Sequence, residues 1–257
     1  MAKRGIRTAE HFLRRIVKDL RSGGNRDRAR SQQHFFKEPV KRHGWRTADL
    51  RRYAAAMGRE IEAAGGEKLL FEVADKLFHA KKTGEEAHAA VMLLDPQSRR
   101  LLRGKASFLG AAEFRRLERW IPLITSWDEC DDLCHSVLGP MIVSHPGYIS
   151  RVFVWARSRN RWSRRAACVA LVHSVRRKLH TKEVFCLAEM LLKDKDDMVR
   201  KGLGWLLREM GKANPSSQVP FLMKIKDKAP RLVLRIACEK LTPSAKAQIL
   251  RKAEGQP

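Results

Sequence analysis

The sequence predicts an all-α protein in which helical pairs stack into a curved solenoid. Apolar residues recur with a helical period along almost the whole chain, and the alternation that is typical of β-strands is scarce. Glycines and a proline interrupt this pattern at intervals that suit helix ends. In the second half of the chain, an arginine recurs near the start of three apolar stretches, which indicates a repeated helical unit.

The first helices are predicted from their capping residues and stop signals. Thr8 is expected to cap a helix that ends at Gly23-Gly24. A basic linker from Arg26 to Arg30 is expected to follow it. Thr47 is expected to cap a second helix, which has a regular apolar face and ends at Gly65-Gly66.

Two further helices complete the first half of the chain. The apolar residues from Leu69 to Phe78 predict a third helix that closes near Gly84. A fourth helix is expected from about Ala87 to Leu94. Asp95-Pro96 should end it, because proline has no N–H with which to continue the helical hydrogen bonds.

The recurring arginines of the second half define the repeat. Arg164 and Arg200 are 36 positions apart, and Arg200 and Arg231 are 31 positions apart. This spacing is close to, though shorter than, the roughly 40-residue period of HEAT-type helical pairs. Stacked pairs share a core and leave one helix of each pair on a concave surface. We therefore predict one HEAT-like domain over residues 31–257, preceded by a basic N-terminal helix and linker over residues 1–30.

The charge of the chain indicates an anionic partner. The 53 lysines and arginines outnumber the 28 acidic residues, which gives a net charge of +25 and a pI of about 10.6. At this charge a nucleic acid is the expected partner, bound largely through its phosphates. The concave surface of the solenoid is therefore expected to be basic and to bind DNA. An anionic membrane surface, or a solvated basic surface without a partner, would also account for the charge.

Composition also bears on the compartment. No apolar stretch approaches the roughly 20 residues that span a bilayer, and Met1 to Gly5 lacks the apolar segment of a secretory signal. The five cysteines follow no disulfide spacing, which suits a reducing compartment. We therefore expect a monomer in the bacterial cytosol, at the nucleoid, with no association with membranes.

Cys130, Cys134 and His135 raise the question of a metal site. Two thiols one helical turn apart do not complete the tetrahedral ligand set that zinc prefers. We interpret them as packed helical side chains, and we expect neither a metal nor an organic cofactor.

The segment Trp127-Asp128-Glu129-Cys130-Asp131 is the strongest candidate for a functional site. On a helix, Trp127 and Asp131 are one turn apart and project from the same face. A carboxylate beside an indole, in a chain of net charge +25, suggests a site for a cationic group. Taken singly, the indole would suit a core position and the carboxylate a solvated or ion-paired one.

Several segments resemble those of one family, over the chain from about Gln32 to Cys238. The matching segments are Phe36-Lys37-Glu38-Pro39-Val40, Gly44-Trp45-Arg46-Thr47, Gly84-Glu85-Glu86, Ser126-Trp127-Asp128-Glu129-Cys130-Asp131, Trp162-Ser163-Arg164-Arg165-Ala166-Ala167 and Lys201-Gly202-Leu203-Gly204-Trp205-Leu206-Leu207-Arg208-Glu209. The last of these matches nearly residue for residue. On these segments the chain resembles the AlkD-like DNA alkylation repair family, the HEAT-like-repeat alkylpurine DNA glycosylases.

The resemblance implies which residues are functional. The catalytic positions of the family fall on Trp127, Asp131, Arg165 and Trp205. The implied contacts with DNA, including neighbouring basic residues, fall on Thr47, Arg46, Arg208, Arg164 and His173. The chain departs from the family pattern at Ser126, where some relatives have a second tryptophan, and at His173, where a lysine is expected.

The implied activity is that of a monofunctional glycosylase that excises N3- or N7-alkylated purines from duplex DNA. Such purines are cationic and leave without a general acid, so the protein must mainly stabilise the oxocarbenium-like sugar. The resemblance assigns this role to Asp131 and implies that the lesion need not be flipped into a pocket. Two alternatives remain from the residues alone: a non-catalytic HEAT-like module that binds nucleic acid, and a scaffold that binds proteins.

Overall fold

The structure, a computed structural model, describes residues 8–251, and their regular secondary structure is entirely helical. The predicted all-α class is therefore confirmed for this part of the chain, in which no β-strand occurs. The chain forms two compact units that divide between Val137 and Leu138. No helix within residues 8–251 is both long enough and apolar enough to span a membrane. The division into residues 1–30 and 31–257, and the concave basic face, stay predictions.

The first helix, α1 (Ala9–Ser22), begins and ends as the sequence predicts. The Thr8 hydroxyl accepts a hydrogen bond from the His11 N–H, and Gly23 follows the last turn. The apolar face of α1 buries Phe12, Ile16 and Leu20 completely or nearly so. This burial stabilises the helix against the rest of the first unit.

The predicted basic linker is wrong, because residues Arg26–Gln32 form the helix α2. Asn25 caps it by accepting a hydrogen bond from the Arg28 N–H, and none of its residues is buried. A helix with no apolar face has no hydrophobic period, so periodicity does not detect it. Polar bonds hold α2 in place: Arg28 donates to the Gly44 carbonyl and Gln32 donates to the Trp45 carbonyl.

Helix α3 (Thr47–Ala80) contains the second and third predicted helices. Its backbone leaves the helical conformation at Gly65 and Gly66, and Gly66 has a φ of +70°, so the predicted glycine break is confirmed. The predicted Thr47 cap is wrong. Thr47 is the first helical residue, and the cap position belongs to Arg46, whose side chain makes no capping bond.

Helix α4 (Gly84–Leu102) differs from the sequence prediction at both of its ends. Gly84 opens this helix rather than closing the previous one, and the helix continues through Pro96 for a further turn and a half. Proline removes one hydrogen bond, but packing holds the helix on both sides of it. Leu93 and Leu94 are buried before Pro96, and Gln97 and Ser98 are buried after it.

The rest of the first unit consists of α5 (Ala111–Glu118) and α6 (Trp127–Leu133), which is followed by a π-helical turn, Cys134–Leu138. Helix α6 packs against α4. Between α5 and α6, Trp120 is fully buried and stacks on Phe78 with ring centroids 4.3 Å apart. Its indole N–H donates to Asp75 at 2.7 Å, so this tryptophan belongs to the core.

The second unit contains nine α-helices within its described residues. They are α7 (Gly139–Ser144), α8 (Ile149–Ala156), α9 (Arg161–Val169), α10 (Val172–Arg176), α11 (Thr181–Leu191), α12 (Asp197–Ala213), α13 (Pro215–Ile225), α14 (Arg231–Ala237) and α15 (Pro243–Leu250). Helix α12 packs against both α9 and α14. The recurring arginines lie in the first turns of these three neighbouring helices: Arg164 in α9, Arg200 in α12 and Arg231 in α14.

Candidate functional site

Trp127 is the first residue of α6 and is held from one side. Its indole is half-buried, and the indole N–H donates to the Phe35 carbonyl at 3.2 Å. The Phe36 ring stacks on it, with centroids 5.5 Å apart and planes 23° apart. One polar bond and one stacked ring fix the plane of the indole while part of its surface stays accessible.

Asp131 lies one helical turn after Trp127 and is also half-buried. The four-residue spacing puts both side chains on one face of α6, as the sequence predicts. The half-buried position places the carboxylate where the field of a charge is less screened than in water.

The aspartates on either side of Asp131 are bound to α4. His88 lies between them, with Nδ1 2.9 Å from an Asp132 carboxylate oxygen and Nε2 3.1 Å from an Asp128 carboxylate oxygen. Arg42 also donates to Asp128. Because Asp128 and Asp132 face α4, these bonds fix the rotation of α6, and with it the direction in which Trp127 and Asp131 point.

The electrostatics of this network agree with its geometry. Burial opposes a charge on the imidazole, but the hydrogen bonds to Asp128 and Asp132 outweigh it and raise the pKa of His88 to about 10. Burial also opposes a charge on Asp128, but the hydrogen bond to His88 and the charges of His88 and Arg42 hold the pKa of Asp128 well below its usual range. His88 and Asp128 are therefore both charged at neutral pH.

A second ion pair anchors the start of α6. The Glu129 side chain is 3% exposed, and it accepts a hydrogen bond from Lys81 Nζ at 2.9 Å. It also accepts from the Thr125 N–H at 2.9 Å, one turn earlier in the chain. A buried carboxylate with these partners ties α6 to the end of α3.

Helices α9 and α12 position the candidate residues of the second unit. Arg165 is only 5% exposed, and its guanidinium donates to the Met198 carbonyl at 2.6 Å. Its stem packs on Gly202, where a methyl group would come within 3.2 Å of Arg165 Cγ. Trp205, three residues on in α12, is half-buried. The glycine thus lets the arginine lie flat between the two helices.

Arg164 and Arg208 are both paired with carboxylates. Arg164 Nε donates to Asp194 at 2.5 Å, and its Nη1 donates to the Ser158 and Arg159 carbonyls. Arg208 Nη1 donates to Glu239 at 2.9 Å. Both arginines therefore have protein partners that a DNA phosphate would have to displace.

The remaining candidates lie on separate elements. Arg46 and Thr47 are exposed at the start of α3 in the first unit, and His173 is half-buried on α10 in the second. The structure brings Trp127 and Asp131 together on α6, and it packs Arg165 of α9 on the helix of Trp205 and Arg208. It does not join Arg46 or Thr47 to the α6 network.

Sequence reasoning missed the network of Arg42, His88, Asp128 and Asp132. These residues come from three segments, and Arg42 and Asp128 are separated by 86 positions. The spacing of Asp128 and Asp132, one turn apart on a predicted helix, was the available signal, since two such carboxylates can share one cation.

The cysteines near this site are packed, as predicted. Cys130 and Cys134 are fully buried in the described structure. Across residues 8–251, no group of three or more histidine, cysteine, aspartate or glutamate side chains is arranged to hold a metal ion.

Comparison with known proteins gives the family. The profile of the family described as "DNA alkylation repair enzyme" matches residues 16–241. The chain belongs to this family. The resemblance recognised in the sequence is therefore confirmed, and membership places the protein in DNA repair with DNA as its substrate. No curated protein matches the chain.

Solved structures with similar folds carry related descriptions. A predicted DNA alkylation repair enzyme from Enterococcus faecalis has a TM-score of 0.72 and 17% identity, over 86% of this chain and 97% of the other. AlkD2 from Streptococcus mutans has a TM-score of 0.57 and 16% identity, over 91% of this chain and 99% of the other. At these identities the similarity shows the all-helical fold of the DNA alkylation repair family and nothing more specific.

Proposed function

We propose that this DNA alkylation repair protein is a monofunctional glycosylase that removes cationic N3- or N7-alkylated purines from duplex DNA. The observation that carries the proposal is the geometry of α6. That helix holds an indole and a carboxylate on one half-buried face, and its other aspartates fix its rotation. Rigid placement of a carboxylate is what electrostatic stabilisation of a developing cation requires.

The chemistry is a hydrolysis of the N-glycosidic bond. The electron pair of the bond between C1′ and the purine nitrogen passes to the purine, which becomes neutral, so no acid is needed to help it leave. The sugar becomes an oxocarbenium-like cation, and the Asp131 carboxylate stabilises it. Water then adds to C1′ and loses a proton, which gives an abasic site and a free base.

The other candidates support this step in the proposal. Trp127 and Trp205 offer indole faces to the sugar and to the cationic base, each contact being worth up to about 2 kcal/mol when water is excluded. Arg165 contacts a flanking phosphate through its small accessible edge. The proposed backbone contacts are Thr47, Arg46, Arg208, Arg164 and His173, and both Arg164 and Arg208 would have to exchange a carboxylate for a phosphate.

The selectivity follows from the absence of an acid in the proposed step. A neutral damaged base would leave as an anion and would need protonation, whereas a cationic base is activated by its own charge. We therefore propose that the protein acts on cationic adducts. We also propose that it acts as a monomer and without a cofactor.

The proposal is tested by assaying base release. Purified protein is incubated with methylated duplex DNA, and free 3-methyladenine and 7-methylguanine are measured by chromatography against a protein-free control. Release above the control that is lost in Asp131→Asn supports the proposal. DNA binding without release would assign the protein to non-catalytic nucleic-acid binding, and absence of both would favour a scaffold.

A further inference from the structure

A cavity of about 490 Å³ in the first unit is lined mainly by basic residues. It lies where the end of α1, the start of α2 and the chain before α3 meet. Its basic residues are Arg21, Arg26, Arg30, Arg42 and His43. None of the described residues that line it is acidic. Guanidinium groups gathered around one space repel each other unless an anion is present.

Two buried nitrogen atoms of this lining have no partner within the described structure. The Arg42 side chain is 7% exposed, and its Nε makes no hydrogen bond. His43 Nε2 makes none either, although a Glu86 carboxylate oxygen lies 4.0 Å from it. Arg42 Nε is always a donor, and a buried donor without an acceptor costs about 1–3 kcal/mol, so this atom favours a ligand that accepts hydrogen bonds.

The chain that carries Arg42 and His43 is held in place from several sides. The buried Glu85 carboxylate accepts hydrogen bonds from the N–H groups of His43 and Gly44, at 3.0 and 2.8 Å. The His43 carbonyl accepts from the Asn25 N–H at 2.7 Å. Gly84 leaves room for the Arg42 guanidinium, which a methyl group there would overlap. The site is therefore preorganised, which lowers the entropic cost of binding.

The rim of the cavity is available for a ligand. Arg21 and Arg26 are exposed, and neither lies within ion-pair distance of a carboxylate in the described part of the chain. Arg30 is exposed and lies 3.5 Å from the equally exposed Asp27, a pair of little strength in water. A guanidinium group can bind two phosphate oxygens at once, so this rim suits a phosphate more than an apolar ligand.

We propose that Arg21, Arg26, Arg30, Arg42 and His43 form a phosphate-binding site, separate from Trp127 and Asp131. Its ligand is a phosphate group, supplied either by the backbone of the DNA or by free phosphate. Arg42 connects this site to α6, because its guanidinium also bonds Asp128 and lies over the Phe36 ring, 5.0 Å from the centroid. The binding of a DNA phosphate at this site rests on the proposed function, whereas the binding of free phosphate does not.

The first arm of the test uses inorganic phosphate alone. The imidazole resonance of His43, assigned with His43→Gln, is followed by NMR during titration at constant ionic strength. The wild-type protein should show a saturable shift. The double variant Arg21→Ala/Arg26→Ala should need at least tenfold more phosphate. The matched control, Arg103→Ala/Arg115→Ala, removes the same charge from two exposed positions off the cavity and should titrate like the wild type.

The second arm uses undamaged duplex DNA. If both rim arginines contact backbone phosphates, the slope of log K against log[salt] should decrease by about 1.8 in the double variant, at about 0.9 per contact. Between 50 and 200 mM salt, the double variant should therefore lose about twelvefold less affinity than the wild type. The control pair should leave the slope unchanged.

The outcomes separate the sources and the hypotheses. A saturable phosphate shift with an unchanged DNA slope assigns the site to free phosphate. A shift that never saturates, or equal weakening by both variant pairs, overturns the site, because net charge alone would then explain the response. If the protein releases no alkylated base, the proposed function fails, whereas the phosphate titration still decides the cavity.

Discussion

The three aspartates of α6 differ in what surrounds their carboxylates. Asp128 and Asp132 both bond His88, and Asp132 also accepts a hydrogen bond from Ser136 at 3.1 Å. Asp131 lies on the face of Trp127. Asp132 lies off that face, but its bond to His88 helps to hold α6 on α4, so we expect a change at Asp132 to disturb the helix. The neighbours of a candidate catalytic residue are thus poor controls when they fix its helix.

Asp131→Asn is expected to bind duplex DNA like the wild type and to lose most base release. The amide keeps the shape of the side chain but removes the charge that opposes the sugar cation. Losing one such interaction costs on the order of 3 kcal/mol, or roughly a hundredfold in rate. Single-turnover release of methylpurine, corrected for the protein-free rate, measures it.

The control for this change is Asp227→Asn, which removes one charge from an exposed position. It should leave both binding and release unchanged. Wild-type release in Asp131→Asn would show that Asp131 is structural.

His88 should make the stability of the protein decrease as the pH rises into the alkaline range. Its pKa is raised from 6.5 to about 10 in the folded protein, so its contribution is fully present below about pH 6.5 and is lost as the pH rises toward 10. The difference in the free energy of unfolding between wild type and His88→Gln should therefore shrink from pH 6 to pH 10, by a few kcal/mol at about 1.4 kcal/mol per pKa unit.

Urea unfolding at the two pH values measures this difference, and His34→Gln, at an exposed position, is the control. A wild-type advantage over His88→Gln that is the same at both pH values would contradict the charged network.

Among the elements, α12 is the central helix of the second unit because α9 and α14 both pack on it. Its glycines make this approach possible on two sides. Gly202 faces the stem of Arg165, and a methyl group at Gly204 would lie 2.8 Å from Ile236 Cβ. The apolar period of α12 predicts the helix, but the reason for its glycines is visible only in its neighbours.

Gly204→Ala is expected to destabilise the protein. Crowding against Ile236 should cost about 1–3 kcal/mol, which exceeds the gain of up to about 1 kcal/mol from better helix propensity. Gly58→Ala is the matched control, because a methyl group there would meet Leu93 at an ordinary 3.6 Å. Urea midpoints measure both changes, and equal effects would mean that α12 and α14 do not approach closely.

For the whole molecule, the net charge of +25 should dominate binding to undamaged DNA. Each neutralised phosphate releases a counterion, so log K should fall linearly with log[salt]. We expect a loss of roughly 10³–10⁵ in affinity between 50 and 200 mM salt if about six to ten phosphates are contacted. Fluorescence anisotropy with a labelled duplex measures it, and a flat salt response would favour a protein scaffold.

The sequence by itself determined the helical class, the ends of α1, the glycine break in α3 and the shared face of Trp127 and Asp131. Each of these depends on residues within a few positions of one another, where periodicity, caps and glycine conformations act. Helix α2, by contrast, has no apolar face, and the sequence pattern alone predicts a linker there.

Tertiary structure alone decided which contacts form between distant segments of the chain. Packing on both sides of Pro96 carries α4 through a residue that ends most helices. His88 reaches Asp128 across 40 positions, and Arg42 reaches it across 86, so neither contact leaves a local pattern. The direction in which α6 presents Trp127 and Asp131 therefore depends on charges that come together only when the chain folds.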